Sequence, residues 1–340
     1  MSSRTVGVVL GVLAVGAAAG CGGPFPQSTF APASGFAVKL NDLYLTIFWW
    51  AVGVFAVVEL LLLYVIVRYR ARPDQPPPAR VHGNTVLEIA WTMAPVVILV
   101  LIAVPTMRTI FEVDGTPKVG ALKVQVVGHQ WWWEFRYPDL GAVTANELHL
   151  PRGREAALEM TSDDVIHSFW VPRLGGKRDV INGRTNRLAF TPDSDGVFLG
   201  QCAEYCGASH ANMRLRVMVE EPAAFDAWVV EQKRPGLPPG SLSPALRPGA
   251  EAFTTMRDPP TNTCLICHTI EGISGGIMGP NLTHLASRTT IAGGVLPNTA
   301  ESLTRWIRNP ASVKPGSRMP TIPLTDQEIA ALVSYLQSLK

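Results

Sequence analysis

Apolar positions along the chain fall into three regimes: long uninterrupted stretches near the start, short alternating runs in the middle, and a turn-rich segment closed by an amphipathic helix. The first stretch, Val6 to Ala19, follows Arg4 and ends at Gly20 and Cys21. A basic start, a short apolar run and small residues at the cut are the layout of an export signal over 1–20. The next two stretches, Leu43 to Val67 and Val86 to Ile110, are long enough to cross a bilayer. Glu59 is the only charge in the first, and Glu88 and Arg108 lie near the ends of the second. Together they predict a transmembrane helical hairpin over 43–111, preceded by an external segment over 21–42. The connecting loop holds Arg68, Arg70, Arg72 and Arg80 against Asp74. Basic loops stay in the cytoplasm, so everything after Ile110 faces outward, as the export signal also requires.

From Lys118 to Glu220 the period changes. Leu122 to Val127, Glu155 to Met160, Thr185 to Phe190 and Leu215 to Val219 are short β-branched or alternating runs separated by Gly, Pro and Asp. That pattern predicts a small all-β sandwich over 112–222. Lys233 to Gly249 is rich in Pro, Gly and Ser and reads as a semi-rigid linker, placed at 223–248. The last domain, 249–340, ends in a helix in which Thr325 and Glu328 form a capping box and Ile329, Leu332, Val333 and Leu336 share one face.

Composition agrees with a chain partly in lipid and partly globular: 340 residues, 47% hydrophobic, 16% charged. The net charge of +2 comes with no long basic run, so nucleic acid is not an expected partner. The sequence Ala18-Ala19-Gly20-Cys21 resembles a bacterial lipoprotein signal, in which the cysteine is lipidated.

The five cysteines locate the chemistry. Cys21 belongs to the export signal. Cys264-Leu265-Ile266-Cys267-His268 has the spacing of c-type haem attachment, with two thioether bonds and an axial histidine. A redox dithiol would not need the histidine, and no further cysteine pair lies nearby to complete a zinc site. A sixth ligand is expected from methionine, with Met278 and Met319 as candidates. Cys202-Ala203-Glu204-Tyr205-Cys206 is followed by His210 and Met213, with His167 far upstream. Soft thiolates, imidazoles and a thioether suit copper better than zinc, and two thiolates can bridge two copper ions with one histidine on each. The plainer alternative is a structural disulfide between Cys202 and Cys206.

With these residues in place, Leu43 to about Val219 resembles subunit II of cytochrome c oxidase, and the fused haem motif resembles the caa-type enzymes. The resemblance implies a multidomain chain: a two-helix hairpin, a cupredoxin sandwich holding the dinuclear copper centre CuA, and an all-α class I cytochrome c domain. It implies CuA ligands at His167, Cys202, Cys206, His210 and Met213 with the Glu204 carbonyl, and a magnesium ion on the Glu204 carboxylate at the contact with subunit I. It favours Met319 over Met278 as distal haem ligand, since Met278-Gly279-Pro280 resembles the loop on the histidine side. Gly128 to Trp133 resembles the family's aromatic patch, with Trp131 at the electron entry and Trp132 in place of a tyrosine. Glu88 in Glu88-Ile89-Ala90-Trp91-Thr92 resembles the glutamate at the mouth of a proton path in subunit I; support for Glu59 is weaker. His82, His129, His149 and His284 read as structural or surface groups.

The function implied is that of an oxidoreductase subunit in a proton-translocating respiratory complex. Electrons would pass from an external donor, a cytochrome c or a quinol:cytochrome c reductase, through haem c and CuA to subunit I, where oxygen is reduced. Subunits I and III are the implied partners, and the bacterial plasma membrane, spanned in multi-pass fashion, is the implied location, with both metal domains on the periplasmic side. The rivals are a copper-dependent nitric oxide reductase, a soluble nitrous oxide reductase, and a copper delivery or sensing protein.

Overall fold

The computed structural model describes residues 25–70, 82–114, 117–236, 239–259 and 263–340. The export signal, Cys21, Arg72, Asp74 and Arg80 lie outside the described residues.

Helix α1 (Gly35–Arg68) starts two turns before the apolar stretch does, because Ser34 caps it: the Ser34 Oγ accepts from Ala37 N at 3.0 Å. The same hydroxyl donates to Leu174 O at 2.6 Å, and Ala33 N donates to Arg173 O at 2.7 Å, so the chain entering the helix is fastened to the β domain. Residues Ala33 and Ser34 are fully buried there. At 34 residues α1 is on the order of 50 Å long, well over the roughly 30 Å of a hydrocarbon core, so its first turns stand in the outer phase. Helix α2 (Thr85–Val113) is capped by Asn84, whose side-chain Oδ1 accepts from Val86 N and Leu87 N. Lys39 and Glu112 pair at 2.7 Å across the outer end of the hairpin. The apolar side chains of both helices are exposed along their length, as lipid-facing or subunit-facing surfaces must be. Among the described residues these are the two spans, so the anchor is two-span rather than multi-pass in any larger sense.

Two five-stranded sheets pack face to face. One has the order β3-β2-β1-β5-β8 and the other β4-β10-β9-β6-β7. Strand β1 (Leu122–His129) pairs parallel with β5 (Ala156–Ser162) and antiparallel with β2 (Trp132–Tyr137). In the second sheet β10 (Arg214–Glu220) lies between β4 (Glu147–Pro151), parallel to it, and β9 (Gly196–Cys202), antiparallel. The remaining strands of these two sheets are β3 (Ala142–Ala145), β6 (His167–Trp170), β7 (Arg178–Val180) and β8 (Asn186–Phe190). Inward positions such as Val124, Val126, Phe135, Leu148, Leu158 and Phe169 form the core between the sheets. The four strands expected from the alternating runs appear as β1, β5, β8 and β10.

Helix α3 (Pro222–Gln232) occupies the start of the stretch read as linker. It buries Phe225 and Val229 in the sandwich core, and Trp228 stacks on His149 at 4.2 Å between ring centroids. The extended connection therefore begins at Lys233.

The C-terminal domain is built from α4 (Arg247–Thr254), α5 (Ala300–Arg308), the short α6 (Pro310–Val313) and α7 (Asp326–Leu336). The capping box is present, with Thr325 and Glu328 bonded reciprocally. Helices α4 and α7 cross at Gly249, where an added Cβ would stand 2.2 Å from Ala331 O and 2.6 Å from Tyr335 Cβ. Alanine there would gain about 1 kcal/mol of helix propensity but meets backbone that cannot yield, and overpacking costs about 1–3 kcal/mol. Gly249→Ala is therefore expected to lower the melting temperature of the cytochrome domain without shifting that of the sandwich; two transitions resolved by calorimetry check it.

Candidate metal centres and their junction

Strand β6 delivers His167, β9 ends on Cys202, and the loop that follows supplies Cys206, His210 and Met213 before β10 begins. Register places Phe169 opposite Cys202, and Cys202 N donates to Met213 O at 2.9 Å, which closes the loop over its own start. The donor atoms converge. Cys202 Sγ lies 3.8 Å from Cys206 Sγ and 4.0 Å from His167 Nδ1, and Cys206 Sγ lies 3.6 Å from His210 Nδ1 and 3.9 Å from Met213 Sδ. The Glu204 carbonyl oxygen is 3.2 Å from Cys202 Sγ. A disulfide needs about 2.05 Å between sulfurs, and both thiols are free and buried. His167, Cys202 and Cys206 form a cluster able to hold a metal, and the set of thiolate, imidazole and thioether fits copper.

Second partners orient these side chains. Asp164 Oδ1 takes His167 Nε2 at 2.8 Å, which turns Nδ1 toward the sulfurs. Burial opposes a charged His167, but Asp164 and Cys202 outweigh it and raise its pKa; Cys202 itself is drawn well below the ordinary thiol range by Cys206 and His167. Gly128 leaves room for the imidazole, since a Cβ there would stand 2.9 Å from its Cδ2. Glu204 and Tyr205 are exposed at the tip of the loop.

The haem motif opens a crevice in the C-terminal domain. Cys264, Cys267, His268, Met278 and Met319 all line it. His268 Nδ1 bonds to Pro280 O at 2.8 Å, so Nε2 is the nitrogen left for iron, and Gly279 lies flat against the ring, where a Cβ would approach Cε1 to 2.6 Å. Met278 thus belongs to the histidine wall and is largely exposed, whereas Met319 comes from a separate loop and is half-buried. Arg288 Nε and Thr263 Oγ1 are buried in the crevice without partners among the described residues. Orphaned donors of this kind fit the carboxylates of a haem, and burial lowers the Arg288 guanidinium to about 10.

The two sites meet on one turn. Trp131 and Gln130, between β1 and β2, border the crevice on one side and reach the sulfur loop on the other. Trp131 Nε1 donates to Cys206 O at 2.9 Å, and Gln130 Nε2 donates to the same oxygen at 2.8 Å. From the cytochrome side, Lys314 Nζ donates to Trp131 O, and Arg318, next to Met319, donates to Gln130 Oε1 at 2.6 Å and lies 3.4 Å from Asp164 Oδ2. Trp131 is 7% exposed and is covered by the cytochrome domain. Trp132 stacks on His129 at 4.2 Å, and Trp133 is wholly buried against His167 and Phe169, an aromatic core residue. Sequence reasoning missed Gln130, Asp164, Lys314 and Arg318. Gln130, inside the aromatic patch, Asp164, three residues before a candidate ligand, and Arg318, beside Met319, carried a local signal; Lys314 did not.

The fold and the two sites define a class, a membrane-anchored redox subunit with a cupredoxin-type metal cluster and a docked c-type cytochrome. Comparison makes the assignment particular. The transmembrane domain of cytochrome c oxidase subunit II matches 25–109, its periplasmic domain matches 142–220, and cytochrome c matches 247–340. Cytochrome c oxidase subunit 2 of Alkalihalophilus pseudofirmus is 39% identical over 291 residues, 84% of this chain and 82% of that one. The Bacillus subtilis subunit is 35% identical over 343 residues, 94% of each chain. A crystal structure of the periplasmic domain of cytochrome oxidase subunit II from Bradyrhizobium japonicum is 32% identical over 35% of this chain and 96% of that one, with a TM-score of 0.33. The chain belongs to the cytochrome c oxidase subunit II family, with a cytochrome c domain at its C-terminus, and is a component of an oxidoreductase complex. Its domains imply copper and haem c as cofactors.

Lys314 gives the junction a pH dependence. It is 4% exposed, and burial brings its pKa down to about 7. An exposed lysine titrates near 10.4, so across that window the separated domains hold the extra proton and docking strengthens as pH rises. Below about 7 the penalty is complete and the dependence vanishes. Thermal release of the cytochrome domain in the full chain is expected at higher temperature at pH 9 than at pH 7, with Lys314→Met abolishing the slope.

Proposed function

We propose that this chain is the electron-entry subunit of a caa-type haem-copper oxygen reductase, with electron flow from haem c to CuA and on to subunit I. One arrangement carries the reading: the haem crevice and the sulfur cluster share the Gln130–Trp131 turn. Copper held by Cys202 and Cys206 and a haem on Cys264 and Cys267 would each supply a one-electron centre when bound. This chain's residues do the positioning. His167, His210, Met213 and the Glu204 carbonyl would complete the copper set, His268 and Met319 would hold the iron, and Arg288 and Thr263 would meet the haem carboxylates. Trp131 packs between the sites, bonded to the backbone of a copper ligand, and is the through-bond step between them. The route continues from the exposed tip at Glu204, whose carboxylate holds magnesium against subunit I.

Oxygen is reduced in that partner, with subunit III completing the complex and a cytochrome c or quinol:cytochrome c reductase as donor. The hairpin anchors the chain in the bacterial plasma membrane with both metal domains outside, and Cys21 is lipidated. Glu88, in the first turn of α2 and folded over Gly83, stands at the cytoplasmic end of that helix, where a proton-path mouth would be. A delivery or sensing role has no use for a haem docked on the copper ligands.

Three experiments test this. Met319→Ala is expected to abolish the near-infrared sulfur-to-iron band and lower the haem potential, while Met278→Ala leaves both; the opposite result exchanges the ligands. In the intact chain, which should hold two coppers with a mixed-valence spectrum, Trp131→Ala is expected to slow haem-to-copper transfer without altering either metal's spectrum. Deleting Lys233 to Lys340 should leave the copper spectrum intact and cut turnover with the natural donor steeply. Adding the detached domain should then restore turnover in a concentration-dependent way. Full turnover by the truncated enzyme would make the haem a side branch.

A further inference from the structure

Glu147, the first residue of β4, is 1% exposed, and the hydrogen bonds its carboxylate accepts come from the other domain. Thr289 N donates to both of its oxygens at 3.0 Å and Thr289 Oγ1 to Oε1 at 2.6 Å; Thr290 N and Oγ1 each donate to Oε1 at 2.8 Å. Arg216, paired with Glu147 across β4 and β10, donates to Thr289 Oγ1 at 3.3 Å. The residue before this receiving segment is Arg288, buried in the haem crevice, and Glu147 is the acid that acts electrostatically on it. The segment continues into a turn where Gly293 O accepts from Arg214 N at 3.0 Å and Ala292 O from Lys314 at 3.2 Å. Close by, Ser209 Oγ, in the copper loop, donates to Pro315 O at 2.6 Å.

A carboxylate taken from water is costly unless its oxygens are satisfied. Here the sandwich supplies the charge and the cytochrome domain supplies the donors, so the docked state satisfies the acid and a rotated or shifted one strands it. We propose that Glu147 is a positioning residue that locks the fused cytochrome in a single docked orientation, with the haem crevice over Trp131, so that the domain works as a fixed relay and not as a tethered shuttle. The inference rests on the electron path proposed above. Neither the linker nor the metal ligands provide this lock.

The test uses the whole oxidase complex, with haem c photoreduced by a ruthenium flash reagent and copper reduction followed optically. Wild-type transfer is expected to be a single phase that is independent of ionic strength, because buried contacts are little screened. Glu147→Ala should slow it roughly tenfold or more and make it multiphasic and salt-sensitive, with both metal spectra unchanged. Glu147→Gln should also raise the haem potential, since Arg288 loses its counter-charge, a change that packing alone would not produce. Thr290→Val, which leaves Glu147 in place, should slow transfer too, and Glu147→Gln with Thr290→Val should be no slower than the worse single variant if both act through one contact. Wild-type rates in all these variants together with an unchanged potential would overturn the lock. A wild-type haem that never reduces copper would instead sink the proposed electron order, and the lock would then be judged by the potential of Glu147→Gln alone.

Discussion

The arrangement depends on one peptide turn serving two domains at once. Gln130 and Trp131 both donate to the carbonyl of Cys206, so the position of the sulfur cluster and the position of the indole cannot vary independently. The same two residues take Arg318 and Lys314 from the cytochrome domain on their other side. Any displacement of the haem loop is thus felt at the sulfur loop through three or four side chains. Asp164 closes the circuit, since it orients His167, accepts from Gln130 N at 2.8 Å and faces Arg318.

Burial decides which of the charged contacts matter. Pairs such as Arg308 with Asp326 and Arg187 with Glu159 sit in solvent, where an ion pair is worth about 0–1 kcal/mol. Glu147 and Lys314 are a few per cent exposed and lie at the domain boundary, where an unmatched group is several times more costly than a matched one is favourable. Groups of that kind specify one geometry more than they add stability, which is what the proposed relay requires.

The local parts of this architecture were legible in the sequence and the non-local parts were not. Two apolar stretches, four β-branched runs, the Thr325 capping box and the cysteine motifs each depend on neighbours within a few residues, so their patterns survive in the sequence. Helix α3 was hidden because Phe225, Trp228 and Val229 have helical spacing but stand beside Pro- and Gly-rich sequence that dominates the window. The start of α1 was hidden because Ser34 is selected by Leu174, far along the chain. Glu147 is the extreme case: an ordinary strand glutamate whose partners lie 142 and 143 residues later. The aromatic patch was half legible. Its three tryptophans look alike in sequence, and only packing divides them into a junction residue, a stacked surface residue and a core residue.

The linker has a smaller part in this arrangement than its composition suggests. A flexible tether raises the local concentration of its cargo to the millimolar range and nothing more, leaving orientation to chance on each encounter. Orientation here comes from the docked face, whose contacts run from Glu147 through Arg214 and Lys314 to Arg318. The stretch from Lys233 to the start of α4 then has only to span a fixed gap, for which stiff Pro-rich sequence is suited because it loses little entropy on being held. Tether and lock therefore divide the work: the first prevents loss of the domain if it opens, and the second sets the geometry in which an electron can cross.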